Sequence, residues 1–149
     1  MILLALNELN LDYIKGYVSQ GKLTNFGKLL GQDVVNTTSE DKYELLEPWI
    51  QWVTVQTGKN YDDHKVFRLG DMVDRPDLHQ IFEDLEKSGL SVGAISPFNA
   101  DNRLANSKFF IPDPWIQTKA SGGYIIGKLS RTVSRFVNSN ASGKVSPAD

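Results

Sequence analysis

Apolar residues recur at helical spacing along much of this chain, with polar residues between them. In the clearest case Leu78, Ile81, Phe82 and Leu85 follow the i, i+3, i+4, i+7 pattern of one helix face, and Gly89 comes next as a stop signal. Glycines also close two earlier segments of the same kind. The helices predicted in this way cover residues 11–18, 23–30, 49–56, 74–88 and 124–137.

Short apolar runs predict the strands. Residues 2–6 are apolar at every position, which is typical of a central parallel strand that is buried on both faces. Residues 91–95 form a second run directly after the helix that Gly89 ends, and this helix-then-strand order is that of an α/β protein. Residues 34–35 and 42–46 are candidates for two more strands. The pattern therefore predicts an α/β fold with a mostly parallel sheet.

Three segments show neither pattern. Residues 60–71 are polar and irregular, and residues 96–118 contain three prolines and predict a long loop. Residues 138–149 are rich in Asn, Ser, Gly and Lys, which predicts a disordered tail. We therefore expect one domain over residues 1–137, followed by that tail.

Composition narrows the range of partners. The 149 residues carry a formal net charge of -2 and no cysteine. The charge offers no basic footprint for nucleic acid, and the lack of cysteine excludes disulfides and thiolate metal sites and fits the cytoplasm. The apolar start, residues 1–6, has no basic n-region and is too short for a signal peptide, and no apolar run could span a membrane. We therefore expect a cytoplasmic protein with neither a nucleic-acid nor a membrane partner.

The segment from Glu47 to Gly58 is the richest in candidate chemistry. It combines a carboxylate, two amides and two tryptophans in one short segment, of which residues 49–56 are predicted to be helical. Glu47 precedes this helix, where the helix dipole favours an anion, so it is either a candidate catalytic group or simply a cap. Trp49, Gln51 and Trp52 are candidates for substrate binding, and the alternative places the tryptophans in the core or at an interface.

Ligands of a parallel sheet gather at the carboxyl ends of its strands. Asn7 and Glu8 lie just past the predicted first strand, and their oxygens suit a divalent metal ion such as Zn2+ or Mn2+. The competing interpretation, which position alone favours, is that one of them caps the next helix.

Other polar side chains point more weakly to a site. His64 follows two aspartates that could bind a metal with it, but a solvated loop is the favoured interpretation. Thr54 and Thr57 carry hydroxyls without a base that the sequence places beside them, so structural roles are favoured. His79 lies on the polar side of its helix, and Asp113 lies in a Pro-Asp-Pro-Trp turn that fixes the loop.

Several short motifs occur in a specific order. After the apolar run 2–6, residues 11–14 read Leu-Asp-Tyr-Ile, residues 21–29 read Gly-Lys-Leu-Thr-Asn-Phe-Gly-Lys-Leu, and Thr57-Gly58 is followed by His64. This order resembles the N-terminal part of the alkaline phosphatase superfamily, and in particular its type I phosphodiesterase/nucleotide pyrophosphatase and sulfatase-like members. The family's Gly-x-Leu-Pro-Asn-Leu-x-x-Leu is matched with Thr for its Pro, and its Thr-Gly-x-x-x-x-x-His is matched as it stands.

The resemblance implies an alkaline-phosphatase-like α/β/α sandwich, of which residues 1–137 are the N-terminal portion, and a metal-dependent hydrolase or transferase acting on phosphate or sulfate esters. Asn7 then occupies the position of the family's first metal-binding Asp, and the adjacent Glu8 can substitute for it. The family's nucleophile position, nine residues before Thr57, holds Pro48, with Glu47 beside it. Because the remaining family metal ligands belong to the C-terminal half, the isolated chain is expected to be inactive.

Two other functions stay open. In the first, catalysis is lost and Trp49, Trp52 and the loop 112–115 form a recognition surface for a sugar or another partner. In the second, the chain is a truncated remnant that self-associates through an exposed sheet edge. The expected partners are accordingly a small-molecule ester, a glycan or a second copy of the chain.

Overall fold

The computed structural model describes residues 1–143, which form two compact units, residues 1–39 and the residues from Glu40 onward. Residues 144–149, which complete the predicted tail, lie outside the described part. The first unit contains the helices α1 (Leu11–Ser19) and α2 (Thr24–Leu30). The second unit contains, in chain order, α3 (Pro48–Thr57), α4 (Tyr61–His64), α5 (Ile81–Lys87), β1 (Gly93–Ile95), β2 (Phe109–Ile111) and α6 (Tyr124–Ala141), with 3-10 turns at Tyr43–Leu45 and Asp71–Asp74.

The two predicted helices of the first unit are confirmed. Asn10 is the N-cap of α1, and its Oδ1 accepts a hydrogen bond from the backbone N–H of Tyr13 at 3.0 Å. Ile14 is the one residue of α1 that is buried, and α2 contains none. Both helices therefore leave most of their apolar side chains at the surface.

The strand predicted over residues 2–6 is wrong, because this segment has no strand structure and its side chains are exposed, Ile2 to 94%. A strand needs a partner for its backbone N–H and C=O groups, and residues 1–39 contain no other strand that could supply one. The same reason applies to residues 34–35, whereas residues 42–46 form one of the 3-10 turns instead of a strand.

Two short parallel strands form the sheet of the second unit. Ala94 of β1 lies opposite Phe110 of β2, and an antiparallel bridge joins Phe110 to Ser121 on the other side of β2. The prediction for β1 is confirmed. The prediction of a loop over residues 96–118 is wrong at β2, whose two phenylalanines and one isoleucine pair with β1.

Helix α5 begins later than its apolar spacing predicts. The backbone N–H of Gln80 donates to Glu83 Oε2 at 2.9 Å, so the helix is capped immediately before Ile81. Leu78 lies outside the helix and packs into the core, where 1% of its surface is exposed. The last helix, by contrast, continues past its predicted end to Ala141.

Two apolar clusters form the core of the second unit. The Phe82 ring meets the Phe110 ring edge to face, with 6.1 Å between ring centroids, and this contact joins α5 to the sheet. The clusters consist of Val53, Val66, Met72 and Leu78, and of Ala94, Ala100 and Phe110 with Phe82 and Leu104 packed against them.

Helices and parallel strands are thus combined as in a small α/β protein, which confirms the predicted fold class at this level. Within residues 1–143, no helix is both long enough and apolar enough to cross a membrane.

Candidate functional site

Helix α3 ends at the Thr-Gly pair of the predicted motif. The backbone N–H of Gly58 donates to Thr54 O at 2.9 Å, and Gly58 has a φ of 66°, a left-handed conformation that favours glycine. The Thr57 hydroxyl donates to Val53 O at 2.7 Å. Both motif residues therefore have structural roles at the end of the helix.

His64, at the end of α4, is completely buried. The backbone N–H of Val66 donates to its Nδ1 at 3.0 Å, and because an amide N–H can only donate, Nδ1 must be the unprotonated ring nitrogen. The proton of the neutral ring is therefore on Nε2, which lies 3.2 Å from Thr54 Oγ1. Burial lowers the pKa of His64 below its ordinary value of 6.5; the nearby Glu40 carboxylate opposes this shift, and Arg75 adds to it.

This tautomer decides what the Thr54 and His64 pair can do. A general base needs a free lone pair directed at the hydroxyl, but Nε2 carries a proton and donates it to Thr54 Oγ1. Thr54 and His64 are therefore the residue types, at the distance, of a nucleophile and its general base. The proton on Nε2 nevertheless prevents His64 from accepting the proton of the Thr54 hydroxyl. It also leaves no ring nitrogen of His64 free to bind a metal. Asp62 pairs instead with Lys65 at 2.8 Å.

Glu47 lies at the N-terminus of α3 and is exposed. Its backbone carbonyl accepts hydrogen bonds from Ile50 and Gln51, but its side chain makes no capping hydrogen bond. Pro48 is the first residue of the helix, where its missing N–H costs nothing. Glu47 is therefore the N-cap residue of α3 by position, as the alternative predicted, but its carboxylate makes no capping hydrogen bond.

The three predicted substrate-binding residues contribute to the packing around α3. Trp49 Nε1 donates to Phe67 O at 3.0 Å, and Gln51 Nε2 donates to Leu45 O at 2.6 Å. Trp52 is half-buried. The polar groups of Trp49 and Gln51 thus bind backbone carbonyls.

Asn7 and Glu8 form a turn in the first unit, before α1. Asn10, and neither of these two residues, is the N-cap of α1. Glu8 is exposed and has a φ of 56°, which is a left-handed conformation that costs a non-glycine residue roughly 1–2 kcal/mol. Among residues 1–143 there is no group of three or more His, Cys, Asp or Glu side chains that could hold a metal ion.

Sequence reasoning missed a buried polar network beside the first core cluster. The amide of Gln80 exchanges hydrogen bonds with the backbone of Asp101, and Arg103 donates to Asp101 Oδ2 at 2.8 Å. The guanidinium of Arg103 also donates to the carbonyls of Leu78 and Met72, each at 2.7 Å. Isolated Arg and Gln residues carry no periodic pattern in the sequence, so this network can be recognised only in the folded chain. Its hydrogen bonds connect loops to one another.

A buried asparagine, also missed, performs a similar task for α3. Asn99 Nδ2 donates to Trp49 O at 2.8 Å, and Asn99 Oδ1 accepts from the backbone N–H of Gly70 at 2.8 Å. Asn99 has a φ of 47°, a conformation in which Asn is enriched among non-glycine residues. Asn99 therefore connects the start of α3 to the loop at residues 68–70.

The predicted exposure of His79 and the predicted turn at Asp113 are confirmed. The side chain of His79 is 58% exposed, although His79 lies before α5 and not on it as predicted. Asp113 is buried, and its Oδ1 accepts a hydrogen bond from the backbone N–H of Trp115 at 2.9 Å. Burial raises the pKa of Asp113, and the hydrogen bond from Trp115 partly opposes this shift.

A cavity of about 210 Å³ lies at the carboxyl ends of both strands, between them and α6. Ser96 and Pro112, the residues that follow β1 and β2, line it together with one side of the helix. This is the edge at which parallel sheets bind ligands, but the lining is apolar and contains none of the predicted site residues. The full lining consists of Ser96, Ile111, Pro112, Pro114, Leu129, Ser130 and Val133.

The chain was compared with family models, with curated proteins and with solved structures, and no match was found.

Proposed function

We propose that this chain supplies the N-terminal part of a metal-dependent hydrolase or transferase of phosphate or sulfate esters, and that it is inactive in isolation. The observation that carries the proposal is that Glu8 and Glu47 are both exposed carboxylates without a capping role: Glu8 is not the N-cap of α1, and Glu47, the N-cap residue of α3, makes no capping hydrogen bond with its side chain. Capping was the structural alternative for each of them. The ordered motifs of the alkaline phosphatase superfamily supply the reaction class, and its α/β/α sandwich is the fold that we propose for the complete protein.

Glu8 and Asn7 are the proposed metal ligands. The left-handed backbone at Glu8 directs the chain through a turn that no helix cap requires, and strain of this kind persists where the position is used. Carboxylate and amide oxygens suit Mn2+ and are compatible with Zn2+. In such a site the metal ion would polarise the ester oxygen as a Lewis acid.

Glu47 is the proposed acid–base group. It lies where the α3 dipole favours negative charge, and Pro48 beside it offers no nucleophile. The Thr54 hydroxyl is not a substitute, because His64 donates to it. Within residues 1–143, therefore, neither Pro48 nor Thr54 supplies an activated nucleophile, and the three protein ligands that a catalytic metal usually has are not brought together.

The alternatives, a recognition surface of Trp49, Trp52 and the loop 112–115 or substrate binding by Trp49, Gln51 and Trp52, have less support. The indole N–H of Trp49 and the amide of Gln51 donate to backbone carbonyls, so these groups are not directed at a ligand.

Paramagnetic Mn2+ tests the metal ligands even where binding is weak. Substoichiometric Mn2+ should broaden the backbone amide signals around Asn7 and Glu8 in an NMR spectrum of the isolated chain. Glu8→Gln should remove this broadening, whereas Asp33→Asn, which neutralises another exposed carboxylate of the same unit, should retain it. Equal broadening in Glu8→Gln, or broadening spread evenly over all exposed carboxylates, would contradict the assignment.

Hydrolysis of p-nitrophenyl phosphate and p-nitrophenyl sulfate tests the second part of the proposal. With Mn2+ or Zn2+ present, the isolated chain should release no more product than the Glu8→Gln/Glu47→Gln double variant. Turnover that the double variant abolishes would show that the chain is active alone. The family assignment itself is tested by the reading frame beyond Asp149, which should encode an Asp-x-x-x-His motif and a later His.

A further inference from the structure

Helix α6 presents two different surfaces on its outer side. Ile125, Leu129, Val133 and Phe136 form an apolar stripe, and at about 100° per residue they fall within an arc of roughly 80°. These four side chains are exposed to 80%, 56%, 42% and 43%. No residue of α6 is buried, and the stripe is most exposed at Ile125.

The side of α6 next to this stripe attaches the helix to the second unit. The Ser134 hydroxyl and Asn138 Nδ2 both donate to Pro114 O, at 2.9 Å and 3.1 Å. Ile126 and Ser130, on the same side, are half-buried. Leu129 and Val133 also line the cavity at the strand ends, so the stripe borders that cavity, while all four of its side chains keep 42% or more of their surface exposed.

The remaining flank of the helix carries a row of cations, Lys128, Arg131 and Arg135. All three are exposed, and no salt bridge within residues 1–143 involves them. The helix contains no acidic residue at all. Although the chain has a formal net charge of -2, surface charges act over about 8–10 Å at physiological salt, so this row governs what approaches α6.

We propose that α6 lies in the plane of a membrane surface that contains anionic phospholipids. An apolar stripe beside a row of Lys and Arg is the composition of helices that bind at this interface, where the apolar side chains enter the acyl boundary and the cations reach the headgroups. Trp115, next to the Pro114 that anchors the helix, is 46% exposed, and tryptophan is favoured at the same depth.

A second copy of the chain fits this face poorly in an antiparallel pair, since two α6 helices that packed through their stripes would then have both cation rows on the same side of the interface. Binding in the plane of a bilayer requires no membrane-spanning helix. The expectation that the chain has no membrane partner rested on the lack of such a run, which does not bear on this mode of binding.

A single-cysteine label tests the proposal directly, because the chain contains no cysteine of its own. An environment-sensitive fluorophore attached to Ile125→Cys should shift to the blue when phosphatidylcholine vesicles containing phosphatidylserine are added. The same fluorophore on Leu90→Cys, an exposed site at 53%, should not shift. Pure phosphatidylcholine vesicles should have little effect on either.

Charge and apolar variants separate the two contributions in vesicle co-sedimentation. Each of Lys128→Gln, Arg131→Gln and Arg135→Gln should weaken binding about 5-fold, and added salt should weaken it further. Leu129→Ser should also release the chain from vesicles, whereas Lys108→Gln and Leu90→Ser, exposed positions elsewhere in the second unit, should not. Circular dichroism checks that every variant remains folded.

Three outcomes would overturn the proposal. One is the absence of co-sedimentation with phosphatidylserine vesicles. Another is binding that Lys108→Gln weakens as much as Arg131→Gln does, which would indicate non-specific charge attraction. The third is a dimer, detected by light scattering, that Leu129→Ser dissociates, together with a fluorophore at Ile125→Cys whose emission does not change when vesicles are added. The stripe would then be a protein interface.

Discussion

Acidification should destabilise the second unit through His64. The ring is completely buried and its neutral form is held by two hydrogen bonds, so burial lowers the pKa in the folded chain below the 6.5 of the unfolded chain. Between these two pKa values the unfolded chain binds more protons than the folded one. The stabilisation is therefore fully present above pH 6.5 and is lost as the pH falls towards the folded pKa.

The size of this destabilisation follows from the one proton that His64 binds and from the hydrogen bond that its Nδ1 accepts from Val66. A difference of one bound proton changes the free energy of unfolding by at most about 1.4 kcal/mol per pH unit. Protonation at Nδ1 also removes the acceptor of the Val66 N–H, which lies next to a fully buried side chain. For a urea m-value of about 1–3 kcal/mol/M, the unfolding midpoint should fall by up to roughly 0.5–1.4 M per pH unit in this window.

Urea unfolding followed by tryptophan fluorescence is the assay, and it reports on the second unit because all three tryptophans lie there. Titrations between pH 7.5 and 5 should show the slope in the natural sequence. It should persist in His79→Gln, which removes the other histidine, and disappear in His64→Gln. A nitrogen-15 spectrum of the histidine rings should show the proton of His64 on Nε2. A slope that survives in His64→Gln, or a proton on Nδ1, would refute the reasoning.

Two further perturbations test the loops around the sheet. Asp113→Asn keeps the acceptor for the Trp115 N–H but removes a buried charge, so it should raise the free energy of unfolding of the second unit at neutral pH. Because the pKa of Asp113 is raised in the folded chain, this stabilisation should shrink as the pH falls through the folded pKa towards 3.8. Equal stabilisation at every pH would contradict the prediction. Gly122→Ala should destabilise by roughly 1–2 kcal/mol or more, since φ is 113° there and an added Cβ would lie 2.7 Å from Phe109 Cβ. Gly127→Ala, where the added Cβ comes no closer than 3.6 Å to Arg131, is its control in thermal unfolding.

Local signals predicted the helices because each signal acts within a few residues. Gly58 ends α3 by its left-handed backbone, and the apolar period through residues 124–137 identifies α6. Strand formation depends on a partner strand, which for β1 lies about fifteen residues further along the chain. Residues 2–6 look more like a strand than Phe109–Ile111 do, yet only the latter has a neighbour with which to pair.

Candidate site residues could be chosen from the sequence by residue type, but their protonation and contacts could not. Nothing local indicates that the Val66 N–H selects the tautomer of His64, or that Asn99 reaches back across 50 positions to Trp49 O. The buried network around Arg103 is invisible for the same reason, because its partners are backbone carbonyls that every residue possesses.

The residues of the Thr-Gly and His motif have structural roles that do not depend on catalysis. Thr57 and Gly58 end a helix, and His64 closes a buried turn by accepting from one backbone amide and donating to Thr54. The fold needs these residues for its stability, whether or not the protein acts on an ester. Glu8 and Glu47 differ from them, because each is exposed and neither carboxylate makes a capping hydrogen bond. Evidence for or against the proposed chemistry must therefore come from those two carboxylates, and an intact motif cannot substitute for it.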